Sequence, residues 1–145
     1  MALYIDSSFL LAILLEKKKE RSYIRAWKKI RPRVASISLE AECVVTLRRT
    51  HRHSSRHLPS DWLQRKEAQL KELLAEVSLR TVDRAIIRQI RTKKDLCECR
   101  TLDALHLATA LEFKKNSDES IAIGTLDQEM RKLSEKLGFG VYPEA

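Results

Sequence analysis

The chain is poor in the residues that bend and break a backbone: three glycines and three prolines in 145 residues. Phosphate loops of the GxGxxG and Walker types need several glycines within a few positions, so both are excluded. An all-β protein would need many tight turns, and too few turn residues are present. Cysteine is scarce as well. Cys43, Cys97 and Cys99 are an odd count, which argues against a disulfide framework and fits a reducing cytoplasm. Cys97 and Cys99 have one residue between them, unlike the CxxC of redox and zinc sites. His51, His53 and His57 have no cysteine nearby and no regular ligand spacing, so a zinc site is not read there. The longest apolar run, residues 9–15, is seven residues long, against about 20 for a spanning helix. No basic residue precedes it and Asp6 interrupts the approach, so no signal peptide is expected. The expectation is a cytoplasmic protein with no membrane association.

What the chain has is charge and alternating apolar segments. Apolar residues make up 43% and charged residues 33%, enough for a packed core and against wholesale disorder. No repeat or linker divides it, and residues 1–145 read as a single domain. Twenty-eight Lys and Arg against 20 Asp and Glu leave a net charge of +8, which suits a polyanionic partner.

Short β-prone runs at 3–5, 34–37, 79–82, 120–124 and 141–142 alternate with helical patterns. Helices are expected from 9–15 capped by Ser7, over 18–30 up to Pro32, from Ser38 to about 50, from Ser60 or Asp61 to about 76, around Ile86–Ile90 capped by Asp83, over 102–115 capped by Thr101, and over 128–137 with Gly138 as the stop. His51 to Pro59 reads as a polar loop. Trp27 and Trp62 fall on amphipathic helices and read as packing residues; Lys17–Lys19 reads as an exposed run. Strand and helix in alternation predict an α/β fold, a parallel sheet of four or five strands covered on both faces. Such sheets bind ligands at the carboxyl ends of their strands.

Acids stand at those ends. Asp6 follows the first strand and Asp127 the fourth. Glu42 lies early in the helix after the second strand, and Asp103 in the first turn of the 102–115 helix. Both of these helices look apolar nearly all round, and buried helices rarely carry unpartnered acids. Each acid taken singly is also what a helix cap or first turn favours. Four converging carboxylates, however, repel each other and take up protons unless a cation joins them. Mg²⁺ and Mn²⁺ take oxygen ligands, so the expectation is an ion caged by side-chain oxygens of all four.

The segments YIDSSFLLAILL, TLDALHLATAL and IGTLDQEMRKLSEKLGFGVY resemble, in this order and at these separations, the PIN domain, in particular the VapC-type toxin ribonucleases. The resemblance covers nearly the whole chain. It implies a PIN-like three-layer α/β/α sandwich. It also implies a metal-dependent endoribonuclease, with Asp6, Glu42, Asp103 and Asp127 as catalytic and metal-binding acids. The Ser36…Glu42 spacing with Ala41 matches the family's second acid. Glu40 is the competitor; two residues apart on a helix point about 200° apart, so both cannot face one ion.

The same resemblance implies Mg²⁺ or Mn²⁺ as cofactor, RNA as substrate, an antitoxin protein as partner and a homodimer. Ser7 and Thr125 could bond a water on the ion or a phosphate oxygen, or be ordinary cap and turn residues. Arg48, Arg49, Arg52 and Arg56 form the densest basic patch, readable as an RNA grip or as a solvated helix end. His106, three residues after Asp103, reads as a packed histidine beside the acids rather than a catalytic base. Two alternatives remain: a catalytically silent PIN-like module that binds RNA or protein, and a metal-dependent phosphohydrolase.

Overall fold

The computed structural model describes residues 1–16 and 21–144. Five strands form one sheet: β1 (Ala2–Ile5), β2 (Arg33–Ser36), β3 (Ser78–Arg80), β4 (Ile121–Gly124) and β5 (Gly140–Tyr142), in the spatial order β3-β2-β1-β4-β5. Every pairing is parallel. Helices α1 (Ser7–Leu14), α2 (Arg21–Lys29), α3 (Ser38–Ser54) and α4 (Trp62–Leu74) pack on one face. Helices α5 (Arg84–Thr92), α6 (Thr101–Lys115) and α7 (Gln128–Lys136) pack on the other. The result is the three-layer α/β/α sandwich expected.

The strands alternate their side chains between two cores. Leu3, Ile5 and Ala122 join the α1–α4 side, and Ala2, Tyr4, Ile121 and Ile123 the α5–α7 side. β1, β2 and β4 are buried throughout; β1 and β4 therefore read as short continuous apolar runs rather than as alternating ones, while β2 buries Arg33 and Ser36 at its ends. Trp27 and Trp62 are buried packing residues, as expected.

The chain leaves β1 toward β2 and β3 on one side, then returns to lay β4 and β5 on the other. The switch therefore falls between β1 and β4. α1 leaves β1 on one face of the sheet and α7 follows β4 on the other, so a crevice opens between their N-termini. Register seats it: Ile5 lies opposite Gly124, and the Asp6 amide donates to the Gly124 carbonyl at 3.1 Å.

Several expectations at helix ends are corrected. Asp6, not Ser7, caps α1: its backbone is extended and its Oδ1 accepts from the Phe9 amide at 3.1 Å. Ser7 is thereby moved into the first helical turn and its hydroxyl is released for another partner. Ser38 and Thr101 are the first helical residues rather than caps, and neither α3 nor α6 has a side-chain cap. The Ser38 hydroxyl instead donates to the Ser36 hydroxyl at 3.0 Å. The expected loop 51–59 is mostly helical: α3 runs to Ser54 and a 3-10 turn covers Ser55–His57. No Gly or Pro interrupts the segment before Pro59, and arginine is a good helix former. α3 is also not apolar all round. Leu39, Cys43 and Leu47 face inward, while Ala41 and Val45 face out. α6 does meet that expectation, with nearly all of residues 104–112 buried. Asp83 caps α5 as expected, accepting from the Ala85 and Ile86 amides. Gly138, at φ +88°, ends α7; its amide donates to Glu135 and that of Phe139 to Ser134, the paired bonds of a Schellman motif. The Lys17–Lys19 run lies outside the described residues.

The close seating of α1 on β4 depends on a missing side chain. A Cβ at Gly124 would stand 3.0 Å from Cδ2 of Phe9 and 3.3 Å from Cγ2 of Ile5. Both are fully buried and cannot swing aside. Gly124→Val is expected to cost about 1–3 kcal/mol, the usual penalty of overpacking, read as a lower urea midpoint at unchanged slope.

Candidate functional site

The crevice is lined by acids held in different ways. Asp6 is almost fully buried, at 5% exposure. Its Oδ1 accepts from the Ser8 hydroxyl at 2.6 Å as well as from the Phe9 amide, and its Oδ2 accepts from the Thr125 hydroxyl. Thr125 is fully buried at the end of β4; its oxygen also accepts from the Asp127 amide at 3.1 Å. Ser8 closes the loop by accepting from the Leu126 amide at 2.9 Å. Two short polar residues thus tie the first strand–helix junction to the fourth. Burial raises the Asp6 carboxyl above the ordinary carboxylate range, against the pull of the Ser8 and Thr125 hydrogen bonds.

Glu42 projects from the second turn of α3. Ser7 donates to its Oε2 at 2.8 Å, and its Oε1 lies 2.5 Å from Nε2 of His106 on α6. Burial raises this carboxyl, but hydrogen bonds from His106, Ser7 and Ser38 prevail and hold it below the usual range. Glu40 is exposed. Behind His106 the chain of contacts continues: the Tyr4 hydroxyl meets Nδ1 at 2.7 Å and accepts from the Ser36 amide at 3.2 Å.

Asp103 lies in the first turn of α6, half-buried. Burial raises its carboxyl first; the negative charges of Asp127 and Glu42 raise it further, with His106 and Arg100 opposing. Asp127 is exposed and caps α7, its Oδ1 accepting from the Met130 amide at 3.0 Å. Asp6 and Asp127 are therefore both helix caps, and the capping reading of each is structurally true. Capping engages only part of each carboxylate.

The four acids lie at the same end of the sheet, and Asp103 feels the charges of Asp127 and Glu42. They do not form a ready-made cage: among the described residues, no three His, Cys, Asp or Glu side chains are grouped as a metal site. Each Glu42 oxygen has one partner, His106 at Oε1 and Ser7 at Oε2, and Oδ1 of Asp127 caps the Met130 amide, so both carboxylates keep lone pairs for a further ligand. The donor set is nonetheless all oxygen, with Asp6 raised by burial and Asp103 raised by burial and by the charges of Asp127 and Glu42. That chemistry fits a hard divalent cation rather than zinc.

Of the other expected residues, Ser7 and Thr125 both contact acids directly. Arg48, Arg49 and Arg52 line an open groove of about 590 Å³ on α3, with Val44, Val45 and His53. Arg48 is engaged by Glu67 of α4 at 2.7 Å. Arg56 is exposed on the 3-10 turn and is not part of that lining. Sequence reasoning missed Ser8, Tyr4 and Arg131, whose Nη1 donates to the Thr125 carbonyl at 3.1 Å. Ser8 had a usable signal in its position two residues after Asp6, since a serine there can turn back on the carboxylate. Tyr4 had none, because its partner is 102 residues away.

The family model of the PIN domain matches residues 3–136. No curated protein matches the sequence. Among solved structures, the chain is similar to a toxin–antitoxin complex from Klebsiella pneumoniae, at a TM-score of 0.63 and 16% identity over 90% of each chain. It is also similar to the Mycobacterium tuberculosis toxin VapC20, described as cleaving the sarcin–ricin loop, at a TM-score of 0.59 and 17% identity over 94% of this chain and 95% of that one. At such identities the likeness to these structures is one of fold.

Burial, reinforced by like charge, has a measurable consequence at Asp103. Its raised carboxyl keeps a proton to higher pH than in the unfolded chain. Its contribution to stability is therefore fullest below the ordinary carboxyl range and is lost as pH rises through the raised value. Asp103→Asn is expected to raise Tm by roughly 2–4 °C at neutral pH without divalent ion. The gain should vanish near pH 3, below the usual Asp value of about 3.9. Calorimetric melts across pH check this.

Proposed function

The chain belongs to the PIN domain family, and from that premise we propose that it is a metal-dependent endoribonuclease, the toxin of a toxin–antitoxin pair. The observation that supports this reading is that Asp103 is raised by burial and by the charges of Asp127 and Glu42, at the end of the sheet where Asp6 also stands. The reading takes residues 1–145 as one catalytic domain.

In this reading Mg²⁺ or Mn²⁺ is held by Asp6, Glu42 and Asp103, with Asp127 at a second ion or at the attacking water. When bound, the ion would supply charge to offset the scissile phosphodiester and would lower the pKa of a water it holds. The chain's own residues do the rest. Thr125 and Ser8 fix the Asp6 carboxylate in one orientation, so little reorganisation is needed when charge develops on the phosphate. Asp127, the exposed acid, is free at Oδ2 to take either of its two places. Ser7 keeps Oε2 of Glu42 in place.

The substrate is RNA. The +8 net charge draws a polyanion, and the Arg48, Arg49 and Arg52 groove offers phosphate contacts leading away from the acids, with Arg56 beyond it. The antitoxin partner and a cytoplasmic location follow from the same reading; one structural neighbour is described as a toxin–antitoxin complex. A homodimer is part of the proposal. Among the described residues no helix is long and apolar enough to cross a membrane.

Cleavage of total RNA in Mg²⁺ or Mn²⁺ is expected, with loss in EDTA. Asp6→Asn and Asp103→Asn are each expected to lower the rate by roughly 100-fold or more, at least the upper end of what mutating a ligand's outer partners costs. RNA binding without cleavage under every metal condition would assign the chain to the silent binding modules. Turnover of a small phosphate ester with RNA untouched would assign it to the phosphohydrolases.

The basic groove makes a separate prediction. Arg49→Ala and Arg52→Ala are each expected to weaken RNA binding and to reduce the slope of log affinity against log salt by about 0.7–1. Arg48→Ala is expected to do less, because Glu67 already holds that guanidinium. Fluorescence titrations at several salt concentrations measure both quantities.

A further inference from the structure

Glu42 is the one acid of the four whose two oxygens are each met by a side chain from a different helix, and one of those side chains leads into the core. A carboxylate only accepts hydrogen bonds, so Nε2 of His106, 2.5 Å from Oε1, carries the hydrogen of that contact. In the neutral ring Nδ1 is then the acceptor, and the group facing it at 2.7 Å is the Tyr4 hydroxyl. The Tyr4 oxygen accepts in turn from the backbone amide of Ser36, at the end of β2. With hydrogen on Nε2 alone, donors and acceptors run in one sense from Ser36 through Tyr4 and His106 to Glu42.

The chain is buried where it needs to be: Tyr4 at 0% and His106 at 1% exposure. The two rings meet edge to face, 5.8 Å between centroids and 74° apart. The imidazole can neither rotate nor exchange its partners for water. It joins the central strand, the second strand and α6 to a side chain on α3.

We propose that Tyr4 and His106 are positioning residues for the acid cluster: the Tyr4 hydroxyl fixes the ring of His106 with hydrogen on Nε2, and His106 holds Glu42 at the crevice in the orientation that binds the divalent ion. This inference rests on the metal-dependent reading of the site and adds to it the means by which its second acid is presented. Partners that orient a ligand are worth about 10–100-fold in metal affinity. The effect falls on ion affinity and kcat, and not on RNA binding, because neither residue reaches the Arg49 and Arg52 groove.

The test titrates Mn²⁺ by calorimetry into wild type, Tyr4→Phe, His106→Leu and His106→Gln. It is paired with nitrogen NMR of the imidazole and with kcat and KM on RNA. The expected result is a single Nε2–H ring in the metal-free wild type. Tyr4→Phe should mix the two tautomers and weaken Mn²⁺ about tenfold. His106→Leu should weaken it tenfold or more, with kcat reduced and KM unchanged. His106→Gln, whose amide can still donate to Glu42, should recover most of the affinity. Should His106→Leu not fold, Tyr4→Phe and His106→Gln decide the matter between them.

Mn²⁺ affinity unchanged in Tyr4→Phe, or Nδ1–H found in the wild type, would overturn the positioning role and leave the nuclease reading standing. A folded wild type that binds no divalent ion would overturn both.

Discussion

A buried carboxylate is the constraint around which the rest of the molecule is arranged. Asp6 sits at the end of the central strand with almost no access to water. A charge in that position is tolerated only if its oxygens are met by donors. The donors come from opposite ends of the chain: an amide and a hydroxyl from α1, and a hydroxyl from the end of β4. Satisfying this one group brings β4 beside β1, sets the register that places Gly124 under Phe9, and puts Thr125 and Asp127 across the crevice. A requirement of stability and the construction of a site are here the same set of bonds.

The remaining acids are accommodated less completely. Glu42 is stabilised as a carboxylate by His106, Ser7 and Ser38, whereas Asp103 is pushed the other way by burial and by its neighbours' charge. One acid is thus held ready and another is left in conflict. A structure serving only its own stability would replace Asp103 with a neutral residue, since buried like charges are costly unless compensated. The persistence of that conflict at a ligand-binding edge of a parallel sheet is the physical ground for reading function there. The arginines follow a different logic. They lie on the outer part of α3, where solvent absorbs their charge, and one of them is already paired across to α4.

Much of this was legible in the residues. Short β-prone runs alternating with helical patterns in a glycine-poor chain are enough to indicate a parallel sheet. Asp6, Asp103 and Asp127 were visible because each follows or opens an element, and chain order alone places such positions at one edge. The spacing after Ser36 favours Glu42 over Glu40, and the helix places Glu42 against Ser7 and His106 while Glu40 is exposed. Cap assignments failed by one residue at Asp6 and Ser7 because both types cap well, and the contest is settled by which backbone is extended. The end of α3 was missed because polar composition was taken for a loop where no breaker stands. Tyr4 and His106 could not be paired from the sequence: neither has a local signal, and their meeting depends on how α6 crosses the sheet.

One feature of the topology bears on how the molecule comes into being. Asp6 and Thr125 are 119 positions apart, and β4 is laid beside β1 only after three strands and six helices have left the ribosome. Until then one edge of the central strand is open and its terminal carboxylate lacks Thr125. Domains fold as units as the chain emerges, at about 5–20 residues per second. The crevice therefore completes itself only once β4 can pair with β1, and a nascent chain that stops before β4 carries Asp6, Glu42 and Asp103 without Thr125 or Asp127.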